Sequence, residues 1–111
     1  MISITSLQAQ YIARMNKFQA MQQELKHCEQ SGDYAKTVKM YQQYIDFIRT
    51  WNNANVLINA YISMAKYCER MEDRLMATDL FSEAINMMTQ IGIEPAKIGA
   101  IQSKIESLQY Y

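Results

Sequence analysis

The sequence predicts an all-α protein of five helices. Apolar residues recur every three or four positions along most of the 111 residues, which is the period of one face of a helix. One proline and three glycines leave few positions for tight turns, and runs of β-branched residues are absent. We therefore expect antiparallel helices joined by short turns, and we expect residues 1–111 to form a single domain.

The first hairpin is predicted over about residues 6–51. Its first helix, to about residue 30, has a stripe expected to be buried: Leu7, Tyr11, Met15, Phe18, Met21 or Gln22, Leu25 and Cys28. Gly32 can end this helix in a left-handed conformation, and Asp33 can cap the next. The second helix has the stripe Tyr34, Thr37, Val38, Tyr41, Tyr44, Ile45 and Ile48.

A second hairpin is predicted over about residues 54–91, with Asn52 or Asn53 as its cap and Gly92 as its end. The expected buried stripe of the third helix is Ala54, Leu57, Ile58, Tyr61, Met64, Ala65, Cys68 and Met71. Glu72-Asp73 separates the third helix from the fourth. Pro95 begins a fifth helix over about residues 95–109, because the missing N–H of proline costs nothing in a first turn.

The two hairpins match each other when the chain is compared with itself at an offset of 40 residues. Identical residues pair at Lys26 and Lys66, Cys28 and Cys68, Glu29 and Glu69, Asp33 and Asp73, and Ile45 and Ile85. The caps and helix boundaries fall in the same register. The fifth helix then corresponds to half of a third unit, and it would cover the apolar edge of the second hairpin as a capping helix.

The stretch GDYAKTVKMY at residues 32–41 and the second unit resemble the tetratricopeptide repeat (TPR) family. The second unit has the family's order of large and small side chains at Tyr61, Ala65, Cys68, Ala77, Phe81 and Ala84. The resemblance covers roughly residues 18–91, with a period of 40 where the family has about 34. It implies TPR-like helical hairpins that bind other proteins. A second resemblance is to the three-helix MIT domain, but it does not explain why the hairpin is repeated at an offset of 40 residues.

Charge and hydropathy argue against several classes of partner. Lys plus Arg and Asp plus Glu number 11 each, so nothing attracts the chain generally to nucleic acid or to anionic membranes. No apolar run reaches the roughly 18 residues of a membrane span, and MISITSLQAQ lacks the features of a secretory signal. We expect a cytoplasmic protein that neither enters a membrane nor binds nucleic acid.

Residues suited to catalysis or to metal binding are sparse. His27 is the only histidine, and we expect it to activate no nucleophile. Cys28 and Cys68 face the expected core, where small buried thiols are common, and the three glycines lie too far apart to cradle a phosphate. The sequence therefore predicts no enzyme activity, no metal and no cofactor.

The TPR-like register predicts partner-binding residues on the two inner helices. They are Gln22, Lys26 and Glu29 on the first helix, and Asn59, Ile62, Lys66, Glu69 and Arg70 on the third. The repeated Lys-x-x-Glu gives each unit one cation and one anion to orient a bound segment, and Ile62 would bury a partner side chain. The alternative is that each Lys-x-x-Glu is only a solvated ion pair within one helix.

These residues predict a non-enzymatic protein–protein interaction module. As an adaptor or chaperone, it would hold a peptide or helical segment of another protein in the groove of its inner helices, as a monomer or as a homodimer. Two alternatives stay open. One is a structural or assembly protein that forms a helical homo-oligomer, and the other is a small regulator that inhibits its partner by occlusion.

Overall fold

The computed structural model describes residues 5–109, so residues 1–4 and 110–111 lie outside the description. Five α-helices follow in order: α1 (Ser6–Ser31), α2 (Tyr34–Arg49), α3 (Ala54–Arg70), α4 (Arg74–Gln90) and α5 (Pro95–Gln109). No strand occurs in the described range. α3 packs on α4, and α4 packs on α5. The predicted all-α class and the predicted order of five helices are confirmed.

The chain divides into two compact units, and the division falls within α2. Unit 1 ends at Tyr44, and unit 2 begins at Ile45. Unit 1 contains α1 and most of α2, whereas unit 2 contains the end of α2 together with α3, α4 and α5. The single domain over residues 1–111 stays a prediction.

Local capping interactions explain where α1 begins and ends. The Thr5 hydroxyl accepts a hydrogen bond from the Gln8 backbone N–H, and the Gln8 side chain accepts one from the Thr5 N–H, each at 3.2 Å. Gly32 ends the helix at φ 76°, a left-handed conformation that costs glycine little. Asp33 then accepts from the Lys36 N–H at 3.1 Å, as predicted for the cap of the next helix.

α3 and α4 end with the same hydrogen-bond arrangement. In each case one residue after the helix has a left-handed conformation, but the type of that residue differs. After α3, the Asp73 N–H donates to the Cys68 carbonyl at 2.9 Å, and the intervening Glu72 has φ 64°. After α4, the Ile93 N–H donates to the Met88 carbonyl at 3.0 Å, and Gly92 has φ 75°. A left-handed glutamate is strained in a way that glycine is not.

The core of unit 2 lies mainly between α3 and α4. Four fully buried side chains lie there: Ala65, Ala77, Phe81 and Ala84. The three small alanines let the two helices approach closely around the Phe81 ring. The predicted stripe of α3 is only partly right. Met71 is 40% exposed and Leu57 and Tyr61 are half-buried, whereas Ala60 and Tyr67, which lie off that stripe, are buried. α3 therefore buries side chains on more than one face.

The core of unit 1 is formed by the second half of α1 and by α2. Its buried residues are Leu25, Cys28, Thr37, Tyr41 and Tyr44. The rings of Phe18 and Tyr44 stack with their centroids 5.8 Å apart, and the Tyr41 hydroxyl donates to the Glu29 carboxylate. These contacts join the second half of α1 to α2.

The first half of α1 lies outside this core. Every residue from Thr5 to Arg14 is exposed, and Leu7 and Tyr11 are 75% and 63% exposed, so the prediction of a buried stripe there was wrong. The physical reason is length, because α1 has 26 residues and α2 has 16. In an antiparallel pair joined by a short turn, the excess residues of the longer helix lie at the end away from the turn.

Candidate partner-binding surfaces

The structure places the five predicted residues of α3 on one face of that helix. Asn59, Ile62, Lys66, Glu69 and Arg70, called the α3 strip below, are separated by three or four residues or are adjacent. Ile62 and Glu69 are half-buried, and the other three are exposed. The α3 strip therefore offers one apolar side chain among amide and charged groups.

Within the α3 strip, Glu69 forms its ion pair with another helix. Its carboxylate lies 3.2 Å from the Lys104 ammonium of α5. The expected partner, Lys66, takes part in no ion pair among residues 5–109. Since both members of the Glu69–Lys104 pair are partly exposed, the pair adds at most about 1 kcal/mol of stability. The pair directs the Glu69 carboxylate towards α5.

Arg70 is positioned by an aromatic ring. Its guanidinium carbon lies 5.8 Å from the centroid of the Tyr67 ring, within the range of a cation–π interaction. Tyr67 is 2% exposed, so this ring is itself fixed by packing. The guanidinium is therefore restrained at the C-terminal end of the α3 strip.

The α1 strip, formed by Gln22, Lys26 and Glu29, repeats this arrangement within unit 1. Lys26 is exposed and takes part in no ion pair within the described range. Glu29, three residues later, is half-buried and accepts the hydrogen bond from Tyr41 of α2. Each strip thus combines an exposed lysine with a carboxylate that a neighbouring helix holds.

Gln22 is connected to the core of unit 1 through Tyr44. Its side-chain amide donates to the Tyr44 hydroxyl at 3.4 Å. Burial raises the pKa of Tyr44 above its ordinary value near 10, and the hydrogen bond from Gln22 opposes part of that increase. The phenol is therefore neutral at physiological pH and anchors the amide by a neutral hydrogen bond.

Sequence reasoning missed two exposed apolar surfaces. The first half of α1 exposes Leu7, Tyr11 and Ile12. At the turn between α3 and α4, Met71 and Leu75 are 40% and 76% exposed. The unequal lengths of the predicted first and second helices could have pointed to the first surface, but helical periodicity alone could not.

The residues considered for other chemistry are one histidine and two cysteines. His27 is exposed, and Cys28 and Cys68 are buried thiols. Within residues 5–109, no three histidine, cysteine or acidic side chains lie close enough to hold a metal ion. In the same range, no helix is both long and apolar enough to cross a membrane.

Comparisons of the chain with protein-family models, with curated proteins and with solved structures found no match. The resemblance to the TPR family therefore stays a prediction, supported by the residue pattern and by the offset of 40 residues.

Proposed function

We propose that this protein is a non-enzymatic interaction module, an adaptor or chaperone with TPR-like hairpins. It binds a peptide or helical segment of another protein along the α3 strip, and the α1 strip offers a second surface of the same kind. We place it in the cytoplasm, and its two buried cysteine thiols are compatible with a reducing compartment.

The observation that supports this function is the arrangement shared by the two strips. Glu69 is held by Lys104 and Glu29 by Tyr41, while Lys66 and Lys26 stay exposed. A carboxylate that one side chain of a neighbouring helix contacts still has oxygen lone pairs that can accept hydrogen bonds from a partner. An exposed lysine can pair with a partner carboxylate or donate to its carbonyl groups.

The chemistry of the α3 strip indicates what kind of segment it binds. Ile62 provides apolar contact, Asn59 can donate and accept hydrogen bonds, and Lys66 and Arg70 lie on either side of the Glu69 carboxylate in the sequence. From Asn59 to Arg70 the helix rises about 16 Å. That length matches about five residues of an extended peptide. We expect a segment with an apolar anchor and a carboxylate, bound with micromolar affinity.

Affinity capture from a lysate of the source organism, followed by binding measurements, tests this function. The baits are the wild-type chain, the triple variant Lys26→Glu, Lys66→Glu, Arg70→Glu, and a control variant with the same change in charge. The control replaces three exposed lysines away from the strips with glutamate: Lys36, Lys39 and Lys97. Circular dichroism first verifies that all three baits are folded.

The expected result is a partner held by the wild type and by the control but lost by the strip variant. Calorimetry with the purified partner should then show at least a tenfold weaker Kd for the strip variant, equivalent to about 1.4 kcal/mol. Equal binding by all three baits would refute the strips as the binding surface. Loss of the partner with both variants would indicate only a response to net charge.

A further inference from the structure

The first half of α1 combines exposed apolar side chains with positive charge. Residues 6–17 are called the overhang here. Leu7, Tyr11 and Ile12 are 75%, 63% and 52% exposed, and the only charged residues of the overhang are Arg14 and Lys17. The first carboxylate of the chain is Glu24, so the overhang itself contains no acidic residue and has a net positive charge.

The turn between α3 and α4, with the first half of α4, has the complementary character. Residues 71–83 are called the acidic corner here. Met71 and Leu75 are exposed, Leu75 to 76%. Four carboxylates lie in this segment against the single cation Arg74: Glu72, Asp73, Asp79 and Glu83. The acidic corner is therefore an apolar surface with net negative charge.

The spacing of these side chains matches between the two helices. In α1, Tyr11 and Arg14 follow Leu7 by four and seven residues on one face. In α4, Asp79 and Glu83 follow Leu75 by four and eight residues on one face. Each residue adds about 1.5 Å along a helix axis. If the two helices lie parallel with Leu7 against Leu75, Tyr11 is level with Asp79. Arg14 is then within about 1.5 Å of the level of Glu83.

At those levels the paired groups are chemically complementary. The Tyr11 hydroxyl can donate to the Asp79 carboxylate, and the Arg14 guanidinium can pair with the Glu83 carboxylate. Lys17, one turn after Arg14, adds a second cation near the acidic corner. The two leucines meanwhile remove apolar surface from water. The chain thus contains both halves of one helix–helix contact.

We propose that the overhang of one copy docks on the acidic corner of a second copy. The two sides use different residues, so the contact is heterologous. The contact involves only about three turns of each helix, so association is weak and is reduced by salt. This inference goes beyond the proposed function, because neither surface includes a residue of the α1 or α3 strips.

Sedimentation equilibrium of the full chain at low salt, over concentrations up to about 1 mM, tests this contact. The overhang variant is Arg14→Glu, Lys17→Glu, and the corner variant is Asp79→Lys, Glu83→Lys. We expect the wild type to associate as its concentration rises, and we expect either variant alone to stay monomeric. An equimolar mixture of the two variants should stop at a 1:1 dimer, because each supplies one intact surface.

Two further variants separate this contact from general effects of charge and folding. Lys39→Glu, Lys97→Glu changes net charge as much as the overhang variant does, and it should associate like the wild type. Leu75→Ser removes an exposed side chain without changing charge, and it should be monomeric even if the corner variant fails to fold.

Three outcomes would overturn the proposal. The first is a wild-type chain that stays monomeric at every concentration. This outcome overturns the proposal even if the overhang binds a protein of another sequence. The second is association that Leu75→Ser and the corner variant both retain, as a symmetric α1–α1 contact would give. The third is a mixture of the two variants that forms no dimer while both are folded.

Discussion

Replacing Leu7 or Leu25 with alanine compares two identical residues on the same face of the same helix. They lie 18 residues apart, about five full turns, so both point in the same direction from α1. Leu25 is 6% exposed, whereas Leu7 is 75% exposed. We predict that Leu25→Ala destabilises the protein several times more than Leu7→Ala.

The magnitudes follow from burial. Replacing a buried leucine with alanine removes apolar burial and leaves a cavity, so Leu25→Ala should cost about 2–4 kcal/mol. Leu7 keeps only about a quarter of its surface covered, which limits the loss for Leu7→Ala to about 0.5 kcal/mol. Alanine is a slightly better helix former than leucine, which lowers both costs by a similar small amount.

Urea unfolding followed by far-UV circular dichroism measures both free energies of unfolding. The protein is kept dilute so that association adds nothing to its stability. Equal losses for the two variants would refute the reasoning, because they would mean that the overhang is packed within the monomer. A loss below about 1 kcal/mol for Leu25→Ala would show that unit 1 has no tightly packed core.

Three further predictions concern single side chains. Glu72→Gly should stabilise the protein by about 1 kcal/mol, because glycine adopts the left-handed conformation without strain. Thr37→Val should change stability by less than about 0.5 kcal/mol, since the Thr37 hydroxyl donates only to the Asp33 carbonyl, which also accepts the Thr37 N–H. The wild type should exceed Tyr44→Phe in stability by a constant amount up to about pH 10, and this advantage should shrink above that pH.

The sign of the Tyr44 effect follows from its raised pKa. The folded protein favours the neutral phenol, so the stabilisation is fully present below the unfolded pKa and is lost as pH rises toward the folded one. Urea unfolding of both chains from pH 8 to about 11 measures the difference. A difference that grows above pH 10 would contradict the assignment.

Matched variants control the other two predictions. Gly92→Ala occupies the equivalent position after α4, where an added Cβ would meet no atom within 4 Å, so its expected loss of about 1 kcal/mol is purely conformational. If Glu72→Gly and Gly92→Ala shift the urea midpoint in the same direction, the conformational argument fails. Thr37→Ala should cost about 2 kcal/mol more than Thr37→Val, because alanine lacks both of the methyl groups that valine places in this fully buried site.

Local chemistry accounts for what sequence reasoning predicted correctly. Gly32, Asp33, Asn53 and Asp73 act within three or four residues of themselves, through backbone conformation or through a hydrogen bond to a nearby N–H. Pro95 likewise begins α5 where its ring and missing N–H suit a first turn. Signals of such short range can be read from one sequence, so the number, order and boundaries of the helices could be predicted.

The candidate site could be predicted only as a set of residues on two helix faces. Lys66 and Glu69 have the spacing of an ion pair, yet Glu69 pairs with Lys104, which lies 35 residues later. Spacing within a helix shows which groups can meet, but it does not show which residue of another helix competes for them. For the same reason, the shared arrangement of a held carboxylate and an exposed lysine was not visible in the sequence.

The sequence by itself determined that this protein is all-α, with five helices in a fixed order. Tertiary structure alone decided which parts of their apolar faces are buried. Leu7 and Leu25 share one face, but packing covers Leu25 and leaves Leu7 in solvent, because α2 is shorter than α1. Periodicity specifies direction from a helix axis, whereas burial also depends on how far a neighbouring helix extends along that axis.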